Sequence, residues 1–107
     1  MKRGDLVTVA LSGDYGKPRP ALVIQSDLFS THPSVVVLPV TSELRAAPLF
    51  RISLKPGADN GLRKASQVMV DKPHTLASEK IGPVFGRIDD ETLVAVNRAL
   101  AVFMGLA

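Results

Sequence analysis

Arg19-Pro20-Ala21-Leu22-Val23-Ile24-Gln25-Ser26-Asp27 is a nearly continuous apolar run with an arginine at its start and a polar end. A second run, Val35-Val36-Val37-Leu38-Pro39-Val40, begins eight residues after Asp27 and leads into Thr41-Ser42. Short apolar runs of this kind are typical of central strands that are buried on both faces. Paired in one sheet, the two strands would hold a guanidinium and two hydroxyl groups on a rigid frame. That arrangement suits a phosphodiester, because the guanidinium fork matches two phosphate oxygens.

Further strands are expected on both sides of this pair, because short runs of β-branched and aromatic residues alternate with turn formers along the chain. Turn-forming residues accumulate at 12–18, 56–57 and 60–61. Residues 27–29 are expected to form a short helical turn. The predicted strands are residues 6–11, 20–26, 34–40, 49–54, 66–70 and 84–86.

The C-terminal segment predicts a helix with clear boundaries. Asp89 is a suitable N-cap, and Ile88 and Leu93 occupy the two positions of a hydrophobic staple. Gly105 is expected to end the helix. One apolar stripe recurs at helical spacing: Leu93, Val96, Leu100, Phe103 and Met104. Strands first and one helix last predict an α+β fold that is mainly β, a small twisted antiparallel sheet or SH3-like barrel with the C-terminal helix packed on it.

Length and composition limit the classes of protein. The 107 residues are expected to form a single domain, residues 1–107, with a real core. The absence of cysteine excludes disulfides and thiolate metal sites. The N-terminus lacks a secretory signal pattern and the apolar runs are too short to span a bilayer, so a cytoplasmic protein without membrane contact is expected.

The net charge of +3 is distributed unevenly. From Arg87 onward, two basic residues stand against three acidic ones, whereas the preceding part of the chain holds eleven basic and seven acidic residues. A basic sheet region attracts a nucleic acid or an acidic peptide, although scattered surface lysines give the same bias.

Neither a metal nor a cofactor is predicted. His32 and His74 lie far apart and no carboxylate cluster accompanies either of them, and no glycine-rich phosphate loop is present. The remaining candidates are polar residues at strand ends, each of which also has a purely structural interpretation as a surface residue or turn former. They are Arg19, Thr41, Ser42, Asp71 and His74.

The order of these residues resembles the MazF/PemK/Kid family of toxins, the ribonuclease halves of bacterial toxin–antitoxin pairs. The resemblance implies a twisted barrel-like sheet, a homodimer, single-stranded RNA bound in a groove and cleaved without a metal, and an acidic antitoxin that competes for that groove. The segments that carry it are Lys2-Arg3-Gly4-Asp5, residues 19–27, Pro39-Val40-Thr41-Ser42, residues 66–73 and residues 86–91.

The resemblance assigns catalytic positions to Arg19, Thr41 and Asp71, and substrate contacts to Ser42 and Phe50. RNA supplies its own nucleophile, the 2′-hydroxyl next to the scissile phosphate. In such a reaction Asp71 serves as the base, Arg19 stabilises the developing charge and Thr41 orients a phosphate oxygen. The expected products are a 2′,3′-cyclic phosphate and a 5′-hydroxyl end.

Two features depart from the pattern of the family. Some relatives carry an arginine as general acid two residues before the matching aspartate, where this chain has Met69, and the 12–18 loop is shorter than usual. The residues considered as replacements for the acid or as RNA contacts are Tyr15, Lys17, Lys72 and His74.

Two alternatives to the ribonuclease remain open from sequence. The first is a CcdB-like, non-enzymatic toxin on the same fold, which poisons gyrase through its C-terminal residues; the terminus of this chain has no tryptophan. The second is an inactive relative that binds RNA or an antitoxin peptide without cleavage.

Overall fold

The computed structural model describes residues 1–11 and 17–107 and shows, within them, seven strands and one α-helix. All neighbouring strands are antiparallel, in the order β4-β5-β3-β2-β1-β7, and β6 pairs with β3. This curled sheet with one C-terminal helix confirms the predicted fold class. The elements are β1 (Asp5–Val9), β2 (Arg19–Val23), β3 (Ser34–Thr41), β4 (Arg51–Leu54), β5 (Ser66–Met69), β6 (His74–Ala77), β7 (Val84–Arg87) and α1 (Asp90–Phe103).

Strands β2 and β3 lie at the centre and are covered on both faces, as their apolar runs predict. Leu22 and Leu38 belong to one core, which is closed by α1, while Ala21 and Val37 belong to a second core on the opposite face. Successive side chains on a strand point to opposite faces, so an uninterrupted apolar run supplies both cores at once.

Strand β3 changes its partner halfway along its length. Its first half pairs with β6, ending at Val37 opposite His74, and its second half pairs with β5 from Val40 opposite Val68. Val36 directs its C=O towards β2, so alternation along the strand directs Pro39 towards the edge where β5 and β6 separate. Because proline has no N–H group, no donor is left unpaired in this gap. The sheet therefore forks at Pro39.

Helix α1 has the predicted caps. The Asp89 carboxylate accepts a hydrogen bond of 2.6 Å from the Thr92 backbone N–H, and Gly105 adopts a φ of 75°. Val96 is fully buried in the core. The predicted apolar stripe is wrong in its last turn: Phe103 and Met104 are exposed, because the helix extends beyond the core that its earlier turns cover.

Two further expectations need correction. The strand predicted at residues 49–54 begins only at Arg51, because residues 48–50 form a turn in which the Phe50 N–H donates to the Ala47 carbonyl. Strand β6 had no counterpart in the predicted strands, since its side chains are mostly exposed and follow the turn-forming Lys72-Pro73. Residues 12–16 of the loop predicted at 12–18 lie outside the described residues. The short helical turn at Asp27–Phe29 is confirmed.

Candidate nucleic-acid interface

A groove of about 660 Å³ opens at the fork between β5 and β6, and we call it the basic groove. It brings together residues that are distant in sequence, because β2, β3, β5 and β6 all end or begin at this point. Its charged and polar lining residues are Arg19, Thr41, Ser42, Glu43, Arg45, Arg51, Arg63, Lys64, Ser66, Lys72 and His74.

The basic groove has a strong excess of positive charge. Among the described residues, six arginine and lysine side chains line it against the single carboxylate of Glu43. Glu43 is itself 3.7 Å from the Arg45 guanidinium, and both side chains are exposed. A concave surface of this sign concentrates polyanions, because the low-dielectric walls focus the field. Charge alone thus favours a phosphate-bearing ligand.

Thr41 is held in place by its own backbone. Its Oγ1 accepts a hydrogen bond of 3.1 Å from the Glu43 backbone N–H, which forms a small turn at the end of β3. No helix begins at Glu43, so this turn is the structural role that the sequence also allowed. The hydroxyl hydrogen of Thr41 stays available, because this bond uses only an acceptor site. Thr41 and the exposed Ser42 can therefore both donate into the groove.

His74 stands at the first position of β6 and lines the groove. Its Nδ1 lies 2.8 Å from the Lys72 carbonyl oxygen. A carbonyl accepts only, so Nδ1 must carry a hydrogen, and Nε2 is left as the ring nitrogen for a substrate. The structure thus places a histidine of defined orientation in the same groove as Thr41.

Asp71 and Phe50 lie next to the groove and are not among the residues that line it. Asp71 follows β5, with Oδ2 3.4 Å from the Lys72 ammonium; its Oδ1 is buried and has no hydrogen-bond partner. Phe50 is exposed, and its carbonyl accepts from the Val70 N–H. The catalytic role of Asp71 and the RNA contact of Phe50 stay predictions.

Strand β2 contributes its first residue, Arg19, which lines the groove and pairs with Val9 of β1. Lys17 is exposed and is not part of the lining. Tyr15, predicted to contact RNA, lies outside the described residues.

Sequence reasoning missed a buried polar pair beneath the groove, Arg51 and Gln67. Arg51 is 8% exposed, and its Nη1 donates to the Gln67 side-chain oxygen and to the Glu43 carbonyl, both at 3.0 Å. The Gln67 amide also binds the backbone N–H and C=O of Arg45 at 3.0 Å each. This pair fixes the segment after Thr41. The sequence alternation placed Arg51 on the exposed face of its strand, so no pattern indicated its burial.

Arg51 lies opposite Met69, the position at which some relatives carry an arginine. Met69 lines the groove, and its partner across the sheet is Arg51 of β4. Residues directly opposite in an antiparallel pair project to the same face of the sheet. The groove thus receives from β4 a cation that β5 does not supply.

The described part of the chain has neither a cluster of metal ligands nor a helix that could span a membrane. Within residues 1–11 and 17–107, no group of three or more histidine, aspartate or glutamate residues is placed to hold a metal ion. None of the helices found there is long and apolar enough to cross a membrane.

The chain matches a known family over nearly its whole length. Residues 2–104 match the family described as PemK-like, MazF-like toxin of type II toxin-antitoxin system. Together with the curled sheet and the basic groove, this match shows that the chain belongs to that family of toxins.

Individual relatives agree with this assignment. The chain is 43% identical to the probable endoribonuclease MazF of Mycolicibacterium smegmatis, over 108 residues that cover 100% of this chain and 99% of the relative. It is 26% identical to endoribonuclease EndoA of Bacillus subtilis, over 111 residues covering 99% and 96%. A solved structure described as an endoribonuclease in complex with its cognate antitoxin from Mycobacterial species has a TM-score of 0.85 at 25% identity, covering 100% of this chain and 97% of that chain.

These relatives also bear on the alternatives left open by the sequence. The curated relatives are named endoribonucleases, which supports an enzyme and does not favour a CcdB-like gyrase poison.

Proposed function

We propose that this chain is the toxin of a type II toxin–antitoxin system, an endoribonuclease that cleaves single-stranded RNA in the basic groove without a metal ion. The observation that carries the proposal is the convergence of Arg19, Thr41 and His74 on one concave, cationic surface. In a phosphodiester cleavage a guanidinium and a hydroxyl donor can stabilise the developing charge, and an imidazole can transfer a proton.

The proposed reaction uses the nucleophile of RNA itself. The 2′-oxygen attacks the adjacent phosphorus, the bond from phosphorus to the 5′-oxygen breaks, and a 2′,3′-cyclic phosphate and a 5′-hydroxyl result. Asp71 takes the proton of the 2′-hydroxyl, and His74 gives a proton to the leaving 5′-oxygen through Nε2. Arg19 stabilises the charge that develops on the phosphate oxygens, and Thr41 donates a hydrogen bond to one of them.

Asp71 suits the role of base in one respect. Its buried Oδ1 has no partner in the described structure, and its Oδ2 faces only the Lys72 ammonium. The Asp71 side chain as a whole is 21% exposed, so a bound ribose can approach the carboxylate from its accessible side. Ser42 and the exposed Phe50 then contact the neighbouring nucleotides, since aromatic rings stack on bases of any sequence.

An acidic antitoxin is the proposed protein partner. A segment rich in carboxylates would bind the same six cations that attract RNA and would block the groove. We further propose a homodimer, supported by the exposed apolar side chains of Val102, Phe103 and Met104 at the end of α1. The cytoplasm, where messenger RNA is translated, is the proposed place of action.

Incubation of the purified protein with a long single-stranded RNA in EDTA tests the cleavage. We expect discrete fragments whose 5′ ends accept phosphate from a kinase without prior phosphatase treatment, and whose 3′ ends carry a cyclic phosphate. The same RNA incubated with protein and its antitoxin should stay intact.

Two outcomes would contradict the proposal. Cleavage that stops in EDTA and returns with a divalent cation would exclude the metal-free reaction. Intact RNA together with a trapped complex of gyrase and DNA would identify the non-enzymatic toxin instead.

A further inference from the structure

We propose that Arg51 binds a phosphate of the RNA chain as a second cation of the basic groove, an inference that deepens the proposed function and rests on it. Three features carry the assignment. Arg51 is buried, it has no counter-ion among the described residues, and some of its hydrogen-bond donors are unused. Each of the three is an independent property of the structure.

Burial comes first. Arg51 is 8% exposed, yet it lines the groove, so its small accessible part faces the space where a ligand would lie. A guanidinium is almost never buried to this degree unless it is paired with a negative charge. In the described chain, no carboxylate lies within ion-pair distance of Arg51. The acceptors of its guanidinium hydrogen bonds are the Glu43 backbone carbonyl and the neutral side chain of Gln67. The charge of Arg51 is therefore oriented by the protein but not neutralised by it.

The unused donors have a specific geometry. Both hydrogen bonds of the Arg51 guanidinium involve Nη1, while Nε is buried without a partner and Nη2 makes no hydrogen bond to the described residues. Nε and Nη2 form one edge of the planar guanidinium, and their parallel N–H groups match two oxygens of a phosphate or carboxylate. The side of the guanidinium that recognises an oxyanion is thus the side that the protein leaves unused.

Arg51 is placed to contact either the scissile phosphate or the phosphate next to it. Arg51 lies opposite Met69 on the sheet, and Thr41 lies opposite Gln67, the residue that binds Arg51. Arg51 thus approaches the groove from beneath the segment that carries Thr41, whereas Arg19 approaches from β2. Successive phosphates of an RNA strand passing between them meet a cation on either side.

The experiment compares the salt dependence of binding among three variants. The probe is a fluorescent single-stranded RNA with fluorine in place of every 2′-hydroxyl, which cannot be cleaved. Arg51→Met removes the charge, Arg51→Lys keeps the charge but not the planar fork, and Gln67→Met removes the acceptor of the Arg51 hydrogen bond while keeping the charge. For single strands, the logarithm of affinity falls with the logarithm of salt concentration by about 0.7 for each phosphate neutralised.

We expect the slope to become shallower by about 0.7 in Arg51→Met, and to stay at the wild-type value in Arg51→Lys and Gln67→Met. With normal RNA, Arg51→Met should cleave about tenfold to hundredfold more slowly, because one charge-stabilising contact is lost. A purely structural role would instead give all three variants the same defect in melting temperature and leave every slope unchanged, and this result would overturn the proposal.

A second measurement applies if Arg51→Met fails to fold. In wild-type protein, the NMR signal of the Arg51 side-chain N–H at Nε, identified by its loss in Arg51→Lys, should shift when the fluorinated RNA is added. A signal that does not move at saturating RNA would contradict the assignment. Failure of the proposed function is a separate result, since it appears as intact normal RNA with wild-type protein, whatever the slopes of the variants are.

Discussion

The protein carries two grooves of similar size and opposite character. The basic groove has a volume of about 660 Å³ and the second, which lies at the N-terminal end of α1, about 600 Å³. We call the second the helix-end groove. Its charged lining in the described chain consists of two cations and three carboxylates: Lys55, Arg87, Asp59, Asp89 and Glu91. Size does not distinguish a binding site here, but the sign of the charge does.

The two grooves also differ in what their charged groups already bind. In the helix-end groove, Asp89 caps α1, and Arg87 forms an ion pair of 3.1 Å with Asp5. In the basic groove, Arg51, Arg63 and Lys64 have no carboxylate within ion-pair distance in the described part of the chain. The helix-end groove thus holds a helix cap and an ion pair of the fold, whereas the basic groove offers Arg51, Arg63 and Lys64 to a ligand. Four substitutions test this contrast, the first three each with a matched control variant.

The largest effect is expected for Arg19→Ala, which removes a guanidinium from the basic groove. Cleavage of single-stranded RNA should slow about a thousandfold, because the charge developing on the phosphate loses a stabilising donor. Arg87→Ala in the helix-end groove is the matched control: it breaks the ion pair with Asp5 and should lower the melting temperature while leaving the cleavage rate per folded molecule unchanged. Equal rates for the two variants would remove the distinction between the grooves.

The second effect concerns the two histidines of the chain. His74→Gln should slow cleavage about a hundredfold, as is typical for loss of a general acid. His32→Gln is the control, since the His32 ring hydrogen-bonds Ser34 and is not among the residues that line the basic groove. An unchanged cleavage rate in His74→Gln would exclude histidine as the acid.

A smaller effect is expected when a single lysine is removed from the basic groove. Lys64→Ala should weaken binding of the fluorinated RNA several-fold and reduce the salt slope by about 0.7. Lys55→Ala, the same substitution in the helix-end groove, should change neither quantity. If both variants lose affinity equally, binding is spread over the whole surface and the groove has no special part in it.

The smallest effect is one of stability. Hydrogen bonds from the side chain and backbone of Thr92 lower the pKa of Asp89. The ionised carboxylate therefore stabilises the fold above about pH 4 and loses this contribution as the pH falls through its lowered value. Asp89→Asn keeps a capping side chain that does not titrate, so the difference in melting temperature between wild type and variant should shrink between pH 7 and pH 3. Cleavage at neutral pH should be unaffected, and a constant difference would contradict the lowered pKa.

Much of the fold was predictable because its signals are local. Apolar runs bounded by turn formers indicated β2 and β3, and the cap at Asp89 with the stop at Gly105 fixed both ends of α1. Strand β6 was not predicted because it is short and none of its side chains is fully buried. It is held in the sheet by its pairing with β3. Such long-range pairing leaves no periodicity in the sequence.

The site was predictable only in part, for a similar reason. Arg19, Thr41, Ser42 and His74 were expected together, and the structure brings them into one groove. Arg51 was not expected, because its burial depends on Gln67 and on the backbone of Glu43, which lie on other segments. A buried cation of this kind becomes visible only once β4 and β5 are in register.

An NMR titration with the fluorinated single-stranded RNA tests most directly which groove is the binding site. The backbone amide signals of Thr41, Ser42, Lys64 and His74 should shift together as RNA is added, while those of Lys55, Asp59 and Glu91 stay in place. Shifts confined to the helix-end groove, or spread evenly over both, would contradict the assignment of RNA cleavage to the basic groove.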